Sequence, residues 1–323
     1  MTRRLVPWLR LLVGVGILVA LVARVGTGAV VDAMRAIGMG SVLAALGIGL
    51  LTTVFSALRW RLVARGLGLR LPLVDAVADC YRAVFLNSVL PAGVLGDVHR
   101  GVNHGRAAGD VGRGVRAVVL ERVAGLLVLV VVGVGVLLAQ PTLLAVAAVD
   151  FVPGPVVVAG ALAVLVVAVA LGAAALRGER ASRCRAALRT GLADVRAGVF
   201  SLSTLPGVVL LSLATLAGYL ALFVVAARAS GSHAALGELL PLLVVGLLAM
   251  GLPLNVGGWG PREAVTTVAF GAVGFGAAQG LTVAVAYGTL SLISCLPGLG
   301  VLLLRHPISR CPVPPPAASV TRC

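Results

Sequence analysis

Lysine is absent from this chain; all 26 basic residues are arginine, which reads as codon composition before function. Acid is scarce, with 11 Asp and Glu, and charged residues of every kind make up only 11% of the 323. Alternation of apolar and polar residues at strand period is missing, which argues against an outer-membrane barrel. The five cysteines (Cys80, Cys184, Cys295, Cys311 and Cys323) form no C-x-x-C and pair with no nearby histidine. Neither a zinc site nor a disulfide framework follows from that spacing. Nothing resembling an A-x-A cleavage site follows the N-terminal MTRRLVPWLRLL, so the first apolar run is expected to stay as an uncleaved helix. The closing Val-Thr-Arg-Cys is no prenylation box, which needs its cysteine four from the end.

What is abundant is apolar length. Hydrophobic residues make up 60% of the chain and mean hydropathy is +1.11. Runs at 118–138, 156–176 and 208–227 are long enough to cross about 30 Å of hydrocarbon as helices. The net charge of +15 sits in loops between these runs rather than on one basic face, so anionic lipid headgroups, and not nucleic acid, are the expected counter-charge.

Two short stretches say nearly the same thing. Residues 90–100 read LPAGVLGDVHR and residues 252–262 read LPLNVGGWGPR, both fitting L-P-x-x-V-x-G-x-x-x-R at a constant offset of 162. Each is an apolar segment broken by Pro and Gly and closed by Arg. Matching breaks in two halves of a membrane protein point to a transport site.

Loop charge gives the threading, because short cytoplasmic loops collect arginine. Arg3, Arg4 and Arg10 place the N-terminus inside. A first span leads out, and 41–58 returns to a basic loop holding Arg59, Arg61, Arg65 and Arg70. The segment 76–95 is followed by another basic loop, so it is expected to dip in and return. Residues 118–138 go out, 156–176 come back, 208–227 go out, 239–258 dip from outside, and 281–304 return. Under the 162 shift each matched pair runs in opposite directions. The expected fold is therefore an all-α polytopic membrane protein, an inverted-topology repeat with about six full spans and two re-entrant broken helices. One transmembrane domain is expected over 1–310, with repeat one at about 9–138, repeat two at about 152–304, and a disordered Pro-rich tail at 311–323.

These residues resemble the lysylphosphatidylglycerol synthase transmembrane-region family of flippase-like membrane proteins, over roughly residues 9–304. The family's N-x-x-x-P-x-x-x-G-G-D-x-x-R-like element matches Asn87, Pro91, Gly96, Asp97 and Arg100, with Leu95 where glycine is common. Its E-R pair, opening a helix, matches Glu121 and Arg122. Its G-G-x-G-x-R-E matches Gly257, Gly258, Gly260, Arg262 and Glu263. The resemblance implies lipid translocation or export. The family's best-understood relatives fuse this region to a soluble aminoacyl-transferase domain; no such domain is expected in this chain, and synthase activity is not expected with it.

Arg100 and Arg262 are the expected lipid-phosphate ligands, since a guanidinium offers a planar fork matched to phosphate oxygens. Asp97, Glu121 and Glu263 are the expected gating or coupling acids. Asn87, Pro91, Gly96, Pro253, Asn255, Gly257, Gly258 and Gly260 form the broken-helix backbone, with new helical turns expected near Gly96 and Gly260. Asp97 with Arg100, and Asp79 with Arg82, stand three apart and are expected to share a helix face. The G-G-x-G lacks a preceding strand and a following lysine, so it is not read as a nucleotide loop. No catalytic residue, cofactor or metal is expected.

The reading is a lipid translocase, in the inner (cytoplasmic) membrane with both termini cytoplasmic, moving an anionic or zwitterionic headgroup between leaflets. The alternatives are a membrane-embedded enzyme on lipid-linked substrates and a non-transporting accessory subunit. A second copy of the chain or a lipid-biosynthesis protein stands as an open partner.

Overall fold

The computed structural model describes residue 35 and residues 37–90, 93–140, 204–250 and 259–304. The first expected span, the 156–176 span, the C-terminal tail, and Pro91, Pro253, Asn255, Gly257 and Gly258 all lie outside the described residues.

Every regular element described is helical. In chain order these are α1 (Met39–Gly66), α2 (Leu73–Val89), α3 (Leu95–Ala107) and α4 (Val111–Ala139). The second half holds α5 (Leu205–Ala229), α6 (Leu236–Met250), α7 (Pro261–Ala272), α8 (Ala277–Cys295) and α9 (Pro297–Leu304). Among the described residues, four stretches are long and apolar enough to cross a membrane: Met39–Gly66, Val111–Val136, Leu205–Ala229 and Ala277–Leu304.

Local chemistry explains where the helices start and stop. Helix α1 runs eight residues beyond the expected end at 58, taking Arg59, Arg61 and Arg65 into the helix. It ends where Gly68 takes φ +75° and Leu69 N–H reaches back to the Ala64 carbonyl, a Schellman-type stop. Helix α4 starts seven residues earlier than the expected 118. Asp110 caps it, accepting the Arg113 N–H at 2.8 Å. Hydropathy missed that turn because Arg113 and Arg116 interrupt the apolar run. Pro261 begins α7, at the position where a missing N–H costs nothing.

The pairs pack as antiparallel zigzags. The α-carbon of Gly96, at the start of α3, lies against the Ala83 backbone of α2, and four residues on Arg100 reaches back to Cys80. As α3 advances, its partner on α2 recedes. A β-carbon at Gly96 would overlap the Ala83 backbone, so only glycine allows this approach. Helix α3 then folds onto α4, with Gly101 facing Val115 and Gly105 facing Val111. In the second half Gly246 faces Thr266 across α6 and α7, and Gly280 faces the Thr266–Phe270 stretch across α7 and α8.

The 162 shift carries α1 onto α5, α2 onto α6, α3 onto α7, and α4 onto α8 with α9, to within a few residues. The contacts repeat with it. Helix α2 packs on α3 as α6 does on α7, α3 on α4 as α7 on α8, and α1 on α8 as α5 on α4. Helices α1 and α5, mates of each other under the shift, form the most extensive pair. Two apolar cores form, one mainly from the first half around Trp60, Ala76 and Cys80 with Val208 of α5, the other mainly from the second half around Phe223, Leu243, Phe270 and Tyr287 with Ala45 of α1. On the outside, α4 exposes Val119, Val123, Leu126, Val130 and Val134, a helical stripe of apolar side chains turned away from both cores.

Candidate functional site

The end of the first broken segment is a charge cluster drawn from three helices, α1, α3 and α4. Arg100 of α3 is buried and fully engaged. Its Nε donates to Asp97 Oδ1 at 2.9 Å, Nη2 to Glu121 Oε2 at 2.5 Å, and Nη1 to Cys80 Sγ at 3.3 Å. Its guanidinium stacks 4.7 Å from the Trp60 ring. Glu121, 1% exposed, accepts from Arg100 and, on its other oxygen, from both Nε and Nη2 of Arg59. Arg59 also donates to Ser212 of α5 at 3.0 Å. Arg122 Nη2 donates to Asp97 at 2.8 Å and keeps 44% of its side chain exposed.

Asn87 fastens the break itself. Its Oδ1 accepts the Gly96 N–H at 2.8 Å, and its Nδ2 donates to Asp97 Oδ2 at 2.9 Å. The side chain of α2 thereby satisfies an orphan N–H at the start of α3 and orients the carboxylate shared by Arg100 and Arg122.

Glu121 does not open a helix, as its E-R pattern suggests; it sits ten residues inside α4, between two arginines. Arg59 was absent from the sequence-derived site because it stands beside three other arginines in what reads as a basic loop. The signal that finds it is the stripe Thr52, Ser56, Arg59 on one face of α1, whose polar side chains cannot all face lipid. In sum, Arg59, Arg100 and Arg122 meet Asp97 and Glu121, three positive charges against two negative.

The second broken segment ends differently. Gly260 takes φ +107°, and its N–H is accepted by Glu263 at 2.6 Å, the acidic half of a capping box. Glu263 also pairs with the neighbouring Arg262. The Arg262 guanidinium lies 5.2 Å from the Trp259 ring and 4.9 Å from the Tyr287 ring, with Met250 Sδ 3.9 Å from Nη1. Its Nε and the Thr266 hydroxyl are buried without a partner among the described residues. The charges here cancel.

Asp79 and Arg82 form the expected pair on α2 at 3.2 Å, and both are buried. His104, on α3 outside the four long helices, sets its ring edgewise to Trp60 at 5.5 Å, and burial lowers its pKa. Among the described residues no three of His, Cys, Asp and Glu converge as metal ligands would.

A bundle of apolar helices with charge buried at the ends of two broken segments is a multi-pass membrane protein. Its family follows from the model for the lysylphosphatidylglycerol synthase TM region, which matches residues 8–298; the chain belongs to that family. No curated protein and no solved structure matches the chain significantly.

Proposed function

We propose that this protein is a lipid translocase that carries an anionic or zwitterionic headgroup between the leaflets of the cytoplasmic membrane. The observation that carries the reading is the uneven pairing at the first break: three arginines against two carboxylates inside a membrane bundle. A charge within the bilayer costs about 2.5–3.5 kcal/mol even on insertion scales, so a surplus cation held there has a use. A headgroup phosphate neutralises it. Arg122, half-exposed, meets the phosphate first; Arg100 lies behind it, sharing Asp97 with Arg122. The phosphate takes over from Asp97, while Glu121, clamped by two arginines, is the fixed counter-charge.

Helix lengths support the rest of the topology. Helix α2 has 17 residues and α6 has 15, about 26 and 23 Å, short of the hydrocarbon thickness. Each is followed by an antiparallel partner. In this reading α2–α3 dips from the cytoplasmic side and α6–α7 from the outer side, completing two inverted repeats with about six full spans and cytoplasmic termini. Arg262 with Glu263 is the outer counterpart of Arg100, and rocking one repeat on the other along α1 and α5 exposes the two sites in turn.

The test is headgroup quenching by dithionite in proteoliposomes carrying fluorescent anionic phospholipids. Wild type is expected to expose lipid beyond one leaflet, and Arg122→Gln and Arg262→Gln to slow that exposure about 10-fold or more, the worth of one charge-assisted hydrogen bond. Folded, inserted protein that exposes only one leaflet with every lipid removes the translocase reading. Unchanged rates in both variants remove the arginines from the path.

A further inference from the structure

A small cleft of about 40 Å³ lies where α1, α2, α5 and α8 meet, joining elements of both halves. Its polar lining is hydroxyl throughout: Thr52, Thr53, Ser56, Tyr219, Ser291 and Ser294. No charged side chain lines it. Hydroxyls at such density on facing helices have a packing use only where they bond to one another or to backbone, and here they divide into two kinds. Thr52 donates to the Ile48 and Gly49 carbonyls, Thr53 to Gly49 at 2.7 Å, and Ser294 to Ser291 at 2.7 Å. With their protons engaged, these three offer lone pairs. Ser56, Ser291 and Tyr219 make no side-chain hydrogen bond with another described residue and offer both a proton and lone pairs.

Mixed donors and acceptors without charge narrow the ligand. A phosphate needs donors only, and an ammonium needs a carboxylate or an aromatic cage. A polyol matches, because each of its hydroxyls both donates and accepts. The cleft neighbours the charge cluster along α1: Ser56 precedes Arg59 by three residues on the same face, a rise of about 4.5 Å.

We infer that this cleft is a binding site for the neutral, polyhydroxylated part of a lipid headgroup, a glycerol or sugar unit, seated beside the arginine cluster. The inference deepens the translocase reading and rests on it for the lipid nature of the ligand.

Its test is competitive retention of lipid by the purified full chain, read by native mass spectrometry from detergent micelles. The micelles contain equimolar phosphatidylglycerol, phosphatidylinositol, glucosyl diacylglycerol, phosphatidylethanolamine and phosphatidylcholine. Wild type is expected to retain the hydroxyl-bearing lipids about 10-fold over the amine-bearing ones, the worth of one or two added hydrogen bonds. Ser56→Ala with Ser291→Ala, a nearly volume-neutral pair, abolishes the preference, and Ser56→Leu does so by filling the cleft. Retention of glucosyl diacylglycerol separates the hydroxyl contribution from that of phosphate. Equal retention of all five lipids, or a preference unchanged in the double alanine variant, overturns the inference. Selective retention without leaflet exchange in the quenching assay sinks the translocase reading and leaves this site standing; exchange without selectivity does the reverse.

Discussion

Glu121 is the residue on which the first half turns. It is buried in a bundle of apolar helices and held by Arg59 and Arg100 from different elements. Removing one partner of such a pair strands a buried charge, a loss of about 3–5 kcal/mol. Glu121→Ala and Arg59→Ala are each expected to lower the unfolding midpoint in detergent sharply, and the double variant to lose much less than their sum. Additive losses would show that the two do not act together. His104 makes a second expectation. Its folded pKa lies below the ordinary 6.5, so the unfolded chain takes up the extra proton first as pH falls. That contribution is complete above pH 6.5 and lost below it; His104→Gln should flatten the slope of the midpoint between pH 7 and 5.5. The pairs Asp97–Arg100 and Asp79–Arg82 were legible in the sequence because their partners lie one helical turn apart. Arg59 and Glu121 are 62 residues apart, and no local spacing reveals a pair that only helix packing creates.

At the scale of the helix, the breaks are where sequence and structure agree most closely. New helices begin at Leu95 and at Pro261, beside the expected Gly96 and Gly260. The helix ends agree less, because hydropathy sees a charged side chain and not its partner. Arg59 extends α1 since Glu121 receives it, and Asp110 starts α4 ahead of two arginines. The close approach of α3 to α2 yields a sharp contrast. Gly96→Val is expected to push α3 away from Ala83, break the Asn87 hydrogen bond to its N–H, and abolish headgroup exchange. Gly47→Ala, mid-helix on α1 with no neighbour near its β-carbon, is expected to leave the fold intact and raise stability by about 0.5–1 kcal/mol. Thermal midpoints of the two variants in one detergent check both; a tolerated valine at 96 would mean that the α2–α3 contact is dispensable.

For the whole molecule, the order of the described elements and their helix contacts match between the halves under the 162 shift, which supports the repeat proposed from the motif at 90–100 and 252–262. Direction across the membrane is a separate matter. Loop charge proposes it, and the account of alternating exposure depends on it. If the halves are inverted, the loops flanking α2–α3 share one face and those flanking α6–α7 share the other. The deciding measurement places single cysteines at Arg70, Ala108, His233 and Val273, all exposed, in a chain whose Cys184, Cys311 and Cys323 are replaced by alanine. Labelling uses an impermeant maleimide on right-side-out and inverted vesicles. The account predicts that positions 70 and 108 react only from the cytoplasmic face and positions 233 and 273 only from the outer face. Labelling of 70 and 108 from opposite faces, or of all four from one, would contradict it.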